Sequence, residues 1–326
     1  MLQFFKHNYL IHYAVVVIVA ALAWLPFFLR LPETLPETGA TAPLYHFLAE
    51  LLGPSPLAMS IVTFAAFVFA LLFFNAMLTS NQLASRNSTL GALTFVLCMA
   101  CTPLRCENFQ FLLACPFIML AMQTMYSLLQ NDKPETYLFN VGLFMSIASL
   151  FYYTSMILIL WVLLAFIMIG YKSLRLFLIP FCGMLLPYFV LFVIAYFNHG
   201  IFVFLDTYSH GFCGLEIYGL NLDSQEIITV SVLVFLFLLS VLKVMSSSNG
   251  SISVRKKNNM TTLLLLFSIV MTAMQRPAVC NGLFFMTLAI FFAMALSAVK
   301  KSKIVDVLVV MSMLAVIAVQ YLPLFL

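Results

Sequence analysis

The chain has 326 residues, of which 64% are hydrophobic and 8% are charged, and its formal net charge is +4 at pH 7. Its mean hydropathy is +1.11. Soluble domains contain about 45–50% apolar and about 25% charged residues, so this composition excludes a soluble globular protein. Intrinsic disorder requires low hydrophobicity and an outer-membrane barrel requires alternating polar and apolar residues, so both are excluded as well. The sequence predicts an all-α fold, that of a polytopic helical membrane protein.

Apolar segments follow one another along the whole chain. A spanning helix needs about 20 mainly apolar residues, because the hydrocarbon core is about 30 Å thick. The stretch 138–170 is too long for one helix, and we divide it at the polar run 152–155. The pattern then predicts about 11 transmembrane helices. They cover residues 11–29, 56–78, 90–102, 109–129, 138–151, 154–170, 176–197, 227–242, 262–275, 280–298 and 304–322.

The distribution of basic residues predicts the orientation. With the N-terminus in the cytoplasm and one crossing per segment, only Arg30, Arg105 and Arg276 among the 15 Lys and Arg residues fall outside. Loop Lys and Arg residues concentrate on the cytoplasmic side of membrane proteins. A single helix over 138–170 would move the basic cluster 255–257 to the outside. The sequence therefore predicts a cytoplasmic N-terminus and an external C-terminus.

We predict a single integral-membrane domain over residues 1–326. Residues 30–55 form an outer loop, in which 42–52 has the pattern of an amphipathic helix lying in the membrane interface. Residues 198–226 form a large outer loop, and residues 243–261 form a flexible basic cytoplasmic loop. Because the basic residues are spread over cytoplasmic loops beside helix ends, the positive charge indicates contact with anionic lipid headgroups and not with nucleic acid.

The three outer arginines are the first candidates for a binding site. Arg105 and Arg276 follow short predicted helices and each has a neighbouring proline, which indicates that both connections dip below the membrane surface. Guanidinium groups bind phosphate oxygens through paired hydrogen bonds. We therefore predict that Arg105 and Arg276, together with Arg30, bind a phosphate. The alternative is that each arginine reaches the headgroups or pairs with a glutamate such as Glu107.

The acidic residues of the first outer loop are the candidates for catalysis. Glu33 and Glu37 could each act as general base for a hydroxyl acceptor. His46 and Glu50 are four residues apart on the predicted interfacial helix, where they would support the site. This pair could instead hold a cation or form a solvated polar face, and we expect no metal site. The apolar residues at helical spacing, expected on the opposite face, are Leu44, Phe47, Leu48 and Leu51.

Taken together, residues 1–197 resemble the GT-C class of integral-membrane glycosyltransferases. The resemblance implies a first outer loop with interfacial helices and an acidic catalytic residue, and outward-facing cations for a polyprenyl-phosphate sugar donor. The family typically has an Asp or an Asp-Glu pair just after its first helix, and Glu33 and Glu37 are the nearest equivalents here. Residues 139–189 (FNVGLFMSIASLFYY…RLFLIPFCGMLLPYF) also resemble a functionally unassigned family of bacterial polytopic inner-membrane proteins.

Three functions in the bacterial inner membrane remain open. The first is a lipid-phosphate-dependent glycosyltransferase of the cell envelope. The second is a non-catalytic membrane subunit of an envelope or secretion complex, which the scarcity of polar residues within the segments favours. The third is a transporter or flippase, which would normally carry ionisable residues near mid-membrane. The expected partners are membrane lipids, a polyprenyl-phosphate-linked substrate and other envelope membrane proteins, and no cofactor is expected.

Overall fold

The computed structural model of the protein describes residues 2–5, 9–29, 42–53, 55–85, 88–100, 108–130, 134–170, 173–197, 252–272, 281–298 and 307. Within these residues the regular secondary structure is helical and contains no strand, which confirms the all-α prediction for this part of the chain. The helices are α1 (Leu2–Phe5), α2 (Leu10–Leu29), α3 (Pro43–Leu52), α4 (Pro56–Ser80), α5 (Leu90–Ala100), α6 (Asn108–Leu128), α7 (Pro134–Phe151), α8 (Leu158–Ile169), α9 (Leu174–Phe197), α10 (Ile252–Thr272) and α11 (Gly282–Ala298).

Four of the described helices, α2, α4, α6 and α9, are long and apolar enough to cross a membrane. Shorter apolar helices are α5, α8 with the turn that precedes it, and α11. The predicted segments 227–242 and 304–322 and the predicted outer loop 198–226 lie outside the described residues. The architecture is compatible with a membrane protein whose apolar helix surfaces contact lipids.

Proline, glycine and one strained glutamine mark several helix ends. α3, α4 and α7 begin with proline, whose missing N–H is not needed in a first turn. α8 ends at Gly170, which has φ 105°. At the end of α4, Gln82 has φ 60°, and the amides of Gln82 and Leu83 donate to the carbonyls of Thr79 and Leu78. This is the hydrogen-bond pattern of a Schellman cap, which satisfies the last carbonyls of the helix.

The predicted division of the stretch 138–170 is confirmed. α7 ends at Phe151, and a 3₁₀ turn over Tyr153–Ile157 leads into α8. The turn is buried, and the Ser155 amide and hydroxyl donate to the Tyr152 carbonyl at 3.0 and 2.7 Å. The polar residues that interrupt the apolar run therefore lie inside the bundle.

α7 and α9 run parallel and approach each other at glycines. A Cβ added at Gly142 would overlap the Pro180 carbonyl oxygen, and one added at Gly183 would overlap the Phe139 carbonyl oxygen. Farther along both helices, the hydroxyls of Ser149 and Tyr188 are hydrogen-bonded at 2.6 Å. Small residues allow such close approach of helix backbones. Because residue numbers rise together along α7 and α9, α8 must carry the chain back between them.

The described bundle has two ends, which we name after the polar residues found there. α2 and α4 are antiparallel, since Tyr13 is bonded to Asn75 and Trp24 packs on Phe67. We call the end where α4 finishes and α10 begins the Lys257 end. The opposite end, where α10 finishes and α11 begins, is the Asn281 end. In the predicted orientation the Lys257 end faces the cytoplasm.

The glycine contact between α7 and α9 predicts a strong effect of one methyl group. We expect Gly142→Ala to lower the midpoint of thermal unfolding in detergent, because overpacking a close contact costs about 1–3 kcal/mol. The matched control is Leu185→Ala on α9, a side chain that is 65% exposed, which should leave the midpoint almost unchanged. A wild-type midpoint for Gly142→Ala would contradict the proposed backbone contact.

Candidate functional site

The helix predicted in the first outer loop is present as α3. His46 Nδ1 lies 3.4 Å from Glu50 Oε1, and the two side chains are 60% and 68% exposed. An ion pair at this exposure is screened by water and contributes little to stability. The structure therefore brings these two predicted residues together on the outside of the bundle, where both can reach a ligand.

The apolar residues of α3 are divided between two faces and do not form the single face that the sequence predicts. Tyr45 is buried at 5% exposure, and Leu44 and Leu48 pack against the core. Phe47 and Leu51 are 60% and 70% exposed, on the same side as the His46–Glu50 pair. One apolar row thus holds α3 against the bundle, while a second row remains exposed beside polar groups.

Six predicted site residues lie outside the described residues, namely Arg30, Glu33, Glu37, Arg105, Glu107 and Arg276. The helices beside these connections belong to the described part of the chain. α2 precedes the connection with Arg30, α6 follows the connection with Arg105, and α11 follows the connection with Arg276.

The flanking helices meet at the Asn281 end. A Cβ at Gly282, the first residue of α11, would overlap the ring of Phe111 in the first turn of α6. The Phe111 ring packs edge-on against Tyr152, with centroids 5.8 Å apart. Phe27 in the last turn of α2 packs edge-on against Phe109, with ring centroids 5.4 Å apart. The three arginine-bearing connections therefore join helices that are packed together.

Asn281 anchors the start of α11. Its Nδ2 donates to the Ser268 carbonyl of α10 at 2.7 Å, and its Oδ1 accepts from the Leu283 amide at 3.2 Å. The side chain is 0% exposed. An asparagine before the first helical turn satisfies an amide that has no partner within the helix. It also holds the start of α11 against α10.

A second polar cluster, not predicted from the sequence, lies at the opposite end. Lys257 in α10 is 1% exposed, and its Nζ donates to Asn81 Oδ1 at 2.9 Å and to the Asn81 carbonyl at 3.5 Å. Asn81 Nδ2 donates to the Met77 carbonyl and to Gln123 Oε1. Among the described residues no carboxylate lies within 4.0 Å of the ammonium. Lys257 lies before the predicted span 262–275. Burial lowers the pKa of its ammonium group below the usual value for lysine.

Other polar contacts attach α10 to its neighbours at the same level. The hydroxyls of Tyr126 and Thr261 are hydrogen-bonded at 2.7 Å, and both residues are buried. Trp161 Nε1 donates to the Met260 carbonyl at 3.0 Å. α10 is thereby bonded to α4, α6 and α8 within about two turns.

A family model for a family of unknown function, DUF6427, matches residues 108–324, about two thirds of the chain. The chain belongs to this family. No curated protein and no solved structure matches the chain. The DUF6427 match begins at the first residue of α6 and includes Arg276, Gln123 and Lys257. Arg105 and Asn81 precede it.

The sequence predicts a flexible loop over residues 243–261, which is wrong for 252–261, and the predicted site therefore lacks this buried cluster. α10 begins at Ile252, so residues 252–261 form the first half of a helix. The helix before the Arg276 connection therefore has 21 residues and is not the short helix that the sequence predicts. Residues 243–251 lie outside the described residues. One signal was present, since Lys257, Thr261 and Ser268 recur at helical spacing and all three are buried. The linker-like composition of residues 246–259 favours a loop, whereas this spacing favours a helix.

The Lys257–Asn81 bond predicts energetic coupling between α4 and α10. We expect Lys257→Met and Asn81→Ala each to change stability in mixed micelles, and the double variant to show a coupling energy of about 1.5–3 kcal/mol, as for a hydrogen bond to a charged group. Equilibrium unfolding of the four proteins measures this coupling.

The matched control for this cycle is Ser55→Ala, an exposed position at the opposite end of α4. Combined with Lys257→Met, it should be additive within about 0.5 kcal/mol. Equal coupling in both cycles would contradict a specific contact between Lys257 and Asn81.

Proposed function

We propose that the protein is a multi-pass protein of the bacterial inner membrane, with about 11 crossings, a cytoplasmic N-terminus and an external C-terminus. The asymmetric distribution of basic residues supports this orientation. The parallel packing of α7 and α9 supports the extra crossing within 138–170, because a chain that ran straight through this stretch would place successive helices antiparallel.

The outer, Asn281 end is the binding site for a polyprenyl-phosphate-linked substrate. The observation that carries this proposal is the packing of α2, α6 and α11 at one end, where each is joined to an arginine-bearing connection. Guanidinium groups suit phosphate because their N–H donors match two phosphate oxygens at once. In this proposal Arg105 and Arg276 bind the phosphate, and Arg30 adds positive charge.

The proposed reaction is the transfer of a sugar from the lipid phosphate to a hydroxyl acceptor, as the resemblance to GT-C enzymes implies. Glu33 or Glu37 takes the hydroxyl proton as the acceptor oxygen forms its bond to the anomeric carbon. The bond from that carbon to the phosphate oxygen breaks, and its electron pair leaves with the phosphate. The arginines stabilise the charge that develops there. The supporting residues of the proposed site are Glu107, Glu50 and His46.

The arginine site predicts retention of a lipid phosphate during purification. We expect native mass spectrometry of the protein in mild detergent to show a bound polyprenyl phosphate, which Arg105→Ala and Arg276→Ala each remove because the paired donors are lost. Arg175→Ala, at the start of α9 and at the other end of the bundle, is the matched control and should retain the lipid.

Lipid binding that is indifferent to both arginines would contradict the proposed site. It would leave the arginines as structural residues and favour the second function, a non-catalytic subunit of an envelope complex. That function predicts stable co-purification with other membrane proteins. An isolated, monodisperse monomer would count against it.

The catalytic role of the loop predicts a loss of transfer without a loss of folding. We expect Glu33→Gln or Glu37→Gln to reduce glycan transfer by about 10²–10⁴-fold, the usual contribution of a general base. The measurement is the mass profile of envelope glycans in cells that carry only the variant. Glu135→Gln, an exposed acid in the first turn of α7, is the control. Unchanged glycans in both loop variants would refute the transferase.

A further inference from the structure

The exposed face of α10 is polar near the start of the helix and apolar farther along it. Arg255, Asn259, Thr262, Leu266 and Ile269 are exposed and follow one another at helical spacing, so they form one stripe. The stripe is about 21 Å long at 1.5 Å per residue. It passes from a cation through an amide and a hydroxyl to two large apolar side chains, which are 55% and 46% exposed. This is the order in which a lipid presents its headgroup and its acyl chain.

A small notch lies beside the polar part of this stripe. It is lined by Met168, Ile169, Lys256, Asn259 and Met260 and has a volume of about 20 Å³. Lys256 Nζ donates to the Ile169 carbonyl at 3.1 Å. That bond fixes the ammonium at the rim of the notch and leaves two further N–H donors, since an ammonium has three. The notch accommodates one oxygen-sized group beside a cation and an amide.

The wall on the α8 side of the notch is apolar and exposed. Ile167 and Met168 are 54% and 47% exposed, and Leu164 and Leu160, one and two turns away from the notch, are 43% and 52% exposed. The direction from the notch along α8 is also the direction in which the α10 stripe becomes apolar, because the two helices are antiparallel. The surface therefore has a charged notch that opens onto two apolar rows.

We propose that this surface binds an anionic phospholipid. A phosphate oxygen occupies the notch and accepts hydrogen bonds from Lys256 Nζ and Asn259 Nδ2, while Arg255 adds positive charge nearby. An acyl chain lies against the exposed rows of α8 and α10. The apolar rows distinguish a phospholipid from free phosphate, since a soluble anion gains nothing from them. This site is at the Lys257 end, opposite the arginine connections, and does not depend on the transferase.

The test is lipid competition in nanodiscs followed by native mass spectrometry. Wild-type protein is offered phosphatidylglycerol and phosphatidylethanolamine with identical acyl chains, and we expect phosphatidylglycerol to be retained preferentially. Lys256→Gln should lower that preference about fivefold, the effect of one basic side chain at an anionic surface. Asn259→Ala should lower it less. The Asn259 side chain is exposed, so this variant should keep the wild-type unfolding midpoint and separate binding from folding.

The matched control is Arg175→Gln, which removes one exposed cation from the same end of the bundle but outside the notch. It should leave the preference unchanged. An equal loss in Arg175→Gln would show diffuse attraction to surface charge and would overturn the proposal. Equal retention of the two lipids by wild-type protein, or displacement of phosphatidylglycerol by millimolar inorganic phosphate, would overturn it as well.

Discussion

Polar groups inside an apolar bundle have no water to bond, so each needs a partner within the fold. Asn75 illustrates the constraint, since its Nδ2 donates to the Tyr13 hydroxyl and the Ser88 carbonyl, while its Oδ1 accepts from the Ala92 amide at the start of α5. Asn281 likewise donates to the Ser268 carbonyl and accepts from the Leu283 amide in the first turn of α11. Both amides bond the first turn of a helix, Asn75 that of α5 and Asn281 that of α11, and they attach those helices to their neighbours.

Close backbone contact is the second consequence of an apolar interior. Lipid solvates an apolar side chain as well as another helix does, so association depends on packing and on polar bonds. Gly142 and Gly183 allow α7 and α9 to approach at their backbones, and the Ser149–Tyr188 bond links the same helices farther along. Once these two helices are parallel, α8 must reverse the chain, and the buried turn after Phe151 follows from that geometry.

The two ends of the bundle have different chemistry. At the Lys257 end, a buried ammonium is bonded to an amide, and neighbouring cations lie at the surface of α10. At the Asn281 end, aromatic contacts such as Phe27–Phe109 hold together the helices that flank the arginine connections. Long apolar helices connect the two ends. A bundle organised in this way can bind charged groups at either end while its middle remains apolar.

The sequence alone determined where most helices lie, because long apolar runs in a membrane must satisfy their backbone internally and therefore form helices. It also located the break within 138–170. It did not predict that α10 begins at Ile252, because the polar residues of its first half give no hydropathy signal. The burial of Lys257 was decided only by the tertiary structure. Its partner Asn81 is 176 residues away, and only helix packing brings a cation and a distant amide together.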